Sequence, residues 1–203
     1  MDRLRETQSM PDMQPGNDFS GKTIYDSQAE GCEQDTVLVV LREFWDGKIL
    51  MELPSGMTEM EEERKAFYFP YEKRPGIIME DREQEVRLTL QFLEFGQGDG
   101  DVYRTAYGIS RLMKESFPQY GQSSLYVSEE NRIPSGWFLL RMEDLRAEHM
   151  KAVFFPENGI LMLLTMTYPE GECTKWREVC RYMRESVRTG NGGAGTNGRE
   201  KGK

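Results

Sequence analysis

The chain has 203 residues, enough for one domain with loose ends, and its 35 acidic against 26 basic side chains leave it at −9 near neutral pH. That balance argues against nucleic acid and anionic lipid as partners and reads most simply as a device for solubility. No apolar run reaches the length of a membrane span, and the N-terminus lacks the apolar segment of a secretory signal, so the expectation is a cytoplasmic protein with no membrane partner.

Residues 1–33 are polar, rich in Asp, Gln, Ser and Gly and without a sustained period, and are expected to be mostly disordered. Residues 190–203 have the composition of a flexible Gly-rich tail, which leaves 34–189 as a single domain. The core opens with Val37, Leu38, Val39, Val40 and Leu41. Asp46-Gly47 then separates this run from Ile49, Leu50, Met51 and Leu53, the pattern of a first hairpin, and Pro54 ends the second strand. Thr58-Glu59-Met60-Glu61 has the form of a capping box and predicts a short acidic helix to about Lys65. From Phe67 to Pro75, a run that holds Tyr68, Phe69, Tyr71, Lys73 and Arg74, two prolines forbid a regular element and predict a stiff, extended, aromatic loop.

Strands resume at 77–79 and 86–95. In the second, Val86, Leu88, Leu90 and Phe92 alternate with Arg87, Thr89 and Gln91, so one face is wet. The Gly-rich stretch 96–101 lacks the residues of a phosphate or calcium loop, and Asp101 is read instead as the N-cap of a helix running to Phe117. Val102, Ala106, Ile109, Met113 and Phe117 share one side of it, with Tyr103 and Leu112 beside them. Strands at 125–127 and 137–142 come next.

A hairpin follows, its strands 152–155 and 160–168 turning at Pro156-Glu157-Asn158-Gly159. The returning strand is apolar on both faces in its first half, the mark of a central strand covered on both sides. The last helix, from Thr174 to about Arg188, carries Trp176, Val179, Cys180, Met183 and Val187 at core spacing. Strands joined by tight turns run antiparallel. The fold class is therefore α+β: an antiparallel sheet of about six to eight strands sandwiched between two long helices on opposite faces.

Catalytic chemistry finds little support. Three cysteines (Cys32, Cys173, Cys180) have no metal-type spacing, and His149 is the sole histidine, so no cofactor or metal is expected. No serine lies in a nucleophile motif, and Glu61, Glu62 and Glu63 read as a solvated helix face. The aromatic loop is the candidate site for binding another protein: Tyr68, Phe69, Tyr71, Lys73 and Arg74, with the alternative that Phe67 and Phe69 merely plug the sheet edge.

The strand ending at Leu53-Pro54, the long mid-chain helix, the closing hairpin, Trp176 early in the last helix and Ser186-Val187-Arg188 at its end resemble the PsbP-like fold. That fold is shared by photosystem II extrinsic proteins, a Ran-binding nuclear import factor and bacterial DcrB-like proteins. The resemblance implies a helix-sandwiched antiparallel sheet and binding of other proteins rather than catalysis, though none of the members' contact residues can be matched to positions here. The reading is then a non-enzymatic adaptor, chaperone or immunity-type module with a protein partner, a basic one by charge. The alternative is a small-ligand binder or enzyme with a pocket near Tyr103, Tyr107, Trp137 and His149.

Overall fold

The computed structural model describes residues 22–26, 36–94, 101–129, 132–157 and 160–190. β2 (Thr36–Phe44) and β3 (Ile49–Pro54) form the expected first hairpin, closing at Phe44↔Ile49 around Asp46-Gly47. Trp45, Asp46 and Gly47 all take positive φ, at 53°, 54° and 74°. A bulky residue enters that region only when something holds it there. Here Trp45 stacks on Phe92 with ring centroids 5.1 Å apart and carries the Lys48 ammonium 4.4 Å above its ring. Two short strands extend the hairpin into a four-stranded sheet of order β1-β2-β3-β12, with β1 at Lys22–Asp26 and β12 at Arg188–Thr189.

β1 lies inside the segment expected to be mostly disordered. Its Lys-Thr-Ile-Tyr-Asp run has too few apolar residues to read as a strand alone, and it is ordered by pairing with β2. The remainder of 1–33, the Gly-rich stretch before Asp101, Asn158-Gly159 and 191–203 lie outside the described residues.

The second sheet has eight strands, within the expected range. Its order is β4 (Thr58–Glu59), β5 (Ile77–Asp81), β6 (Val86–Glu94), β11 (Ile160–Pro169), β10 (Ala147–Glu157), β9 (Ser135–Met142) and β7 (Gly121–Gln122), with β8 (Tyr126–Ser128) also on β9. Every pairing is antiparallel. β11 is central, as its apolar first half requires, and the hairpin closes at Glu157↔Ile160.

α2 (Val102–Ser116) and α3 (Cys173–Ser186) cover opposite faces. Under α3, Trp176, Val179, Cys180, Met183 and Val187 are buried with Leu88, Leu90, Met150, Phe154, Met162, Leu164 and Met166. The small sheet shares this core through Phe44, Ile49, Met51 and Leu53, so this face is covered by a helix and a second sheet together. Asp101 caps α2 as expected, its carboxylate accepting from the Arg104 N–H at 2.9 Å. No helix among the described residues is long and apolar enough to cross a membrane.

The capping-box expectation at Thr58 does not hold. Burial of Met57 and Met60 ties this segment down, so Thr58-Glu59 pairs with β5, and the Thr58 hydroxyl reaches the Glu80 carbonyl at 3.4 Å. The helix, α1, starts later and spans Glu62–Tyr68 with no side-chain cap.

Candidate functional site

α1 takes Phe67 and Tyr68 out of the loop expected from Phe67 to Pro75. Glu62, Glu63, Arg64, Lys65 and Ala66 are good helix formers that support a last turn, and the Phe69 N–H still bonds to the Lys65 carbonyl at 2.8 Å. Spacing of four places Arg64 and Tyr68 on one side of this helix, with Phe67 turned elsewhere. Phe67 is 77% exposed and so does not plug the sheet edge, and Tyr71 is 72% exposed. Phe69 is half-buried and Lys73 is exposed. Arg74 folds back, its Nε donating to the Phe69 carbonyl at 2.9 Å and a terminal nitrogen lying 3.3 Å from Glu62. Of the five residues singled out from the sequence, then, Tyr71 and Lys73 project, Arg74 and Phe69 brace the loop, and Tyr68 turns to the Arg64 side of the helix.

The flank of α1 is acidic. Glu59, Glu61 and Glu62 are largely exposed around Lys65 and Arg82, with Lys65 bonding Glu59 at 2.8 Å and Glu62 at 2.9 Å. The Lys65 hydrogen bond holds the Glu62 carboxyl below the usual range.

On the inward side lies an arrangement that sequence reading did not assemble. Strand register aligns Glu80 with Arg87, Arg87 with Thr167, and Thr167 with His149, giving one polar row across β5, β6, β11 and β10. Adjacent strands are about 4.8 Å apart, so the row is roughly 15 Å long. A parallel row carries Thr89, Thr165 and Lys151, with the Lys151 ammonium donating to the Thr165 hydroxyl at 3.1 Å. Burial, helped by Lys151 and Arg87 nearby, pushes His149 down to about 3, so its imidazole is neutral at physiological pH. Burial also lowers Lys151.

The end of the row opens into a cleft of about 710 Å³. Four arginines line it: Arg64, Arg82, Arg87 and Arg146. Arg64 grips buried Glu80 with both carboxylate oxygens engaged, at 2.6 to 2.9 Å, and Arg82 reaches the same carboxylate at 3.1 Å. The hydrogen bond from Arg64 outweighs burial and keeps Glu80 ionised, its pKa lowered. The Tyr68 ring lies under two guanidinium groups, Arg87 at 4.2 Å and Arg64 at 5.3 Å. The sequence signal for Arg87 was present, since its alternation with buried Val86 and Leu88 puts it on the wet face. Its meeting with Arg64, Tyr68 and Arg146 depends on tertiary contacts.

Among the described residues the alternative pocket is not assembled. Tyr103 and Tyr107 stack on one another in solvent, 6.1 Å apart, while Trp137 packs against the α3-side core and stacks on Tyr126. His149 lies on the face of the sheet opposite Trp137, the face that α2 crosses. Cys173 and Cys180 are free thiols; Cys180 is buried with its thiol 3.4 Å from the Met166 sulfur, and burial pushes its pKa up. Cys32 lies outside the described residues. Among the described residues no three His, Cys, Asp or Glu side chains gather as a metal site would require.

No family model matches the chain, and no curated protein matches it in sequence. Among solved structures it is similar to the solution structure of cyanobacterial PsbP (CyanoP) from Synechocystis, at 10% identity, covering 74% of this chain and 92% of that one, with a TM-score of 0.56. Weaker similarities are to a Bacteroides thetaiotaomicron protein (10% identity, 73% of this chain and 47% of that one, TM-score 0.45) and to LpqN (9% identity, 75% and 90%, TM-score 0.44). The latter is described as involved in cell envelope biogenesis of Mycobacterium tuberculosis. The likeness to CyanoP shows the PsbP-like fold that the sequence resembled, and at such identity it shows the fold alone.

Proposed function

We propose that this protein is a non-enzymatic docking module that binds a protein partner through the outer side of α1 and the loop after it, with Phe67 and Tyr71 as anchors. One observation carries the reading: two large aromatic rings stand more than two-thirds exposed on a segment held in place by Arg74 and the Lys65 ion pairs. Rigid exposed aromatics are what binding hot spots are made of, because little side-chain entropy is lost on contact. The partner is a protein surface with an apolar notch ringed by Lys or Arg, since Glu59, Glu61 and Glu62 border the anchors. A non-catalytic role is supported by the neutral His149 between two cations and by the buried, protonated Cys180.

The test is quantitative affinity capture from an extract of the source organism, following one identified co-purifying protein across variants. Phe67→Ser with Tyr71→Ser is expected to cut its recovery at least tenfold with an unchanged Tm, because neither ring contributes to the core. Capture by the wild type is expected to weaken as salt rises. Equal recovery on the double variant sinks the proposal.

A further inference from the structure

The Arg-lined cleft lies on the other side of α1 from the docking anchors and has an inventory of its own. Arg64 and Arg82 are spent on Glu80, and Arg82 is also 2.8 Å from Glu61. Arg87 and Arg146 are not: among the described residues neither guanidinium pairs with a carboxylate. Arg87 comes from β6 and sits beside Thr167 in register, and Arg146 immediately precedes β10, where Ala147 pairs with Pro169. Two guanidinium groups without a carboxylate partner, one from β6 and one from the turn before β10, thus border one cleft, which Thr167 also lines. Three acids share the lining, and only one of them is held by arginines. Glu80 is already neutralised, Asp81 accepts from the Gln84 N–H at 3.1 Å, and Glu85 stands exposed.

A chain at −9 repels anions over most of its surface, so two arginines without carboxylate partners lining one cleft are an exception that asks for a counter-charge. Leu145, Ala147 and Pro169 give the lining an apolar part. A volume of about 710 Å³ is in the range of small-ligand pockets. We infer that this cleft is a binding site for a small organic oxyanion, a carboxylate or phosphate ester, whose charged group sits between Arg87 and Arg146 and whose short apolar body lies against Leu145 and Pro169. Guanidinium groups suit this task because their fork of donors matches both oxyanions in paired hydrogen bonds. The inference is independent of the docking reading, since no anchor residue lines the cleft.

The experiment uses the full chain, titrated at constant ionic strength with inorganic phosphate, phenyl phosphate, citrate and, as the control anion, chloride, and read by amide and arginine ¹⁵N–¹H shifts. Saturable shifts are expected on residues 85–87, 145–147 and 167–169, with phenyl phosphate binding more tightly than inorganic phosphate. Arg87→Gln and Arg146→Gln are each expected to weaken binding about tenfold, whereas Arg111→Gln, on α2 and paired with Glu115, binds as wild type. Preference for citrate over the phosphates assigns the carboxylate class, and the reverse assigns the phosphate class; either supports the site. Shifts that do not saturate, that chloride reproduces, or that fall elsewhere overturn it. The wild-type map decides the matter even if a variant fails to fold.

Discussion

Glu148 and His149 are consecutive, point to opposite faces of the large sheet, and meet the cost of burial in different ways. Burial alone would raise the Glu148 carboxyl. Hydrogen bonds from Arg177 (Nε at 2.7 Å, with a second guanidinium nitrogen on the other oxygen) and from the Tyr168 hydroxyl at 2.7 Å more than reverse this, so it stays ionised and clamps α3 to the sheet. His149 has cations for neighbours, not a counter-ion, and gives up its proton instead. The sign of the resulting pH dependence follows. Unfolding frees the imidazole to titrate at its ordinary 6.5, whereas in the fold it stays neutral down to about 3. Below about pH 6.5 the unfolded chain therefore binds a proton the folded chain refuses, and stability falls with pH by up to about 1.4 kcal/mol per unit. The Glu148 contribution, present above the ordinary carboxyl value of 4.5, is lost only as pH falls through its lower folded value. The interval from about pH 6.5 to 5 is thus the window in which His149 shows. Urea unfolding across it is expected to slope in the wild type and to be flatter in His149→Gln. Parallel slopes would mean that the imidazole is protonated in the fold.

At the scale of elements, α2 shows how far a periodic pattern can be read. Val102 and Ala106 were expected on the buried side and are buried, with Ser110 continuing the line in steps of four. Phe117, expected with them, is 39% exposed, and Leu112 and both tyrosines also face water. The period says which side of a helix is apolar. It cannot say how much sheet lies beneath, and here the helix crosses β9 and β10 on a narrow strip of small residues. Gly136 makes that crossing possible: a Cβ there would stand 2.5 Å from the Ala106 Cβ. Both atoms are fixed by backbone, so no rotamer change relieves the clash. Gly136→Ala is expected to lift α2 and cost about 1–3 kcal/mol in chemical denaturation. Adding Ala106→Gly should recover part of that loss, because it removes the atom met, though glycine within a helix carries about 1 kcal/mol of its own. Full additivity of the two losses would place the fault elsewhere. The aromatic loop teaches the same lesson from local chemistry. Pro70 and Pro75 limited the backbone as expected from residue 69 onward, but they could not forbid α1 from extending to Tyr68, since the helix ends before Pro70.

For the molecule as a whole, the legible part was the set of apolar strands and the two helices that cover them, because alternation and helical spacing are local properties of the chain. The division into two sheets was not legible, since strands of the small sheet present the same alternation as those of the large one. Nor were its outer members. β12 is two residues long, and β1 is polar, so both acquire their structure from β3 and β2. The cleft was illegible for a related reason: its arginines come from α1, two hairpin turns and a strand, and only tertiary folding brings them to one cleft. This small sheet closes the α3-side core and is tied to α3 by the Ser186 hydroxyl accepting from the Glu52 N–H at 2.9 Å and by the Tyr182 hydroxyl donating to the Glu52 carboxylate. β1 occupies the open edge of β2, and removing it leaves a nine-residue strand with unpaired backbone groups and exposed Leu38 and Leu41 beside them. Such an edge is a template for pairing with another chain. Deletion of residues 1–26 is therefore expected to lower stability by about 1–3 kcal/mol, from the lost ladder bonds, and to bring on concentration-dependent self-association in sedimentation velocity. Placing Lys at Leu41 in the shortened chain should suppress the association without restoring the stability, because a charge blocks edge pairing and makes no ladder. If the shortened chain stays monomeric and as stable as the intact one, β1 contributes nothing to the closure of the small sheet.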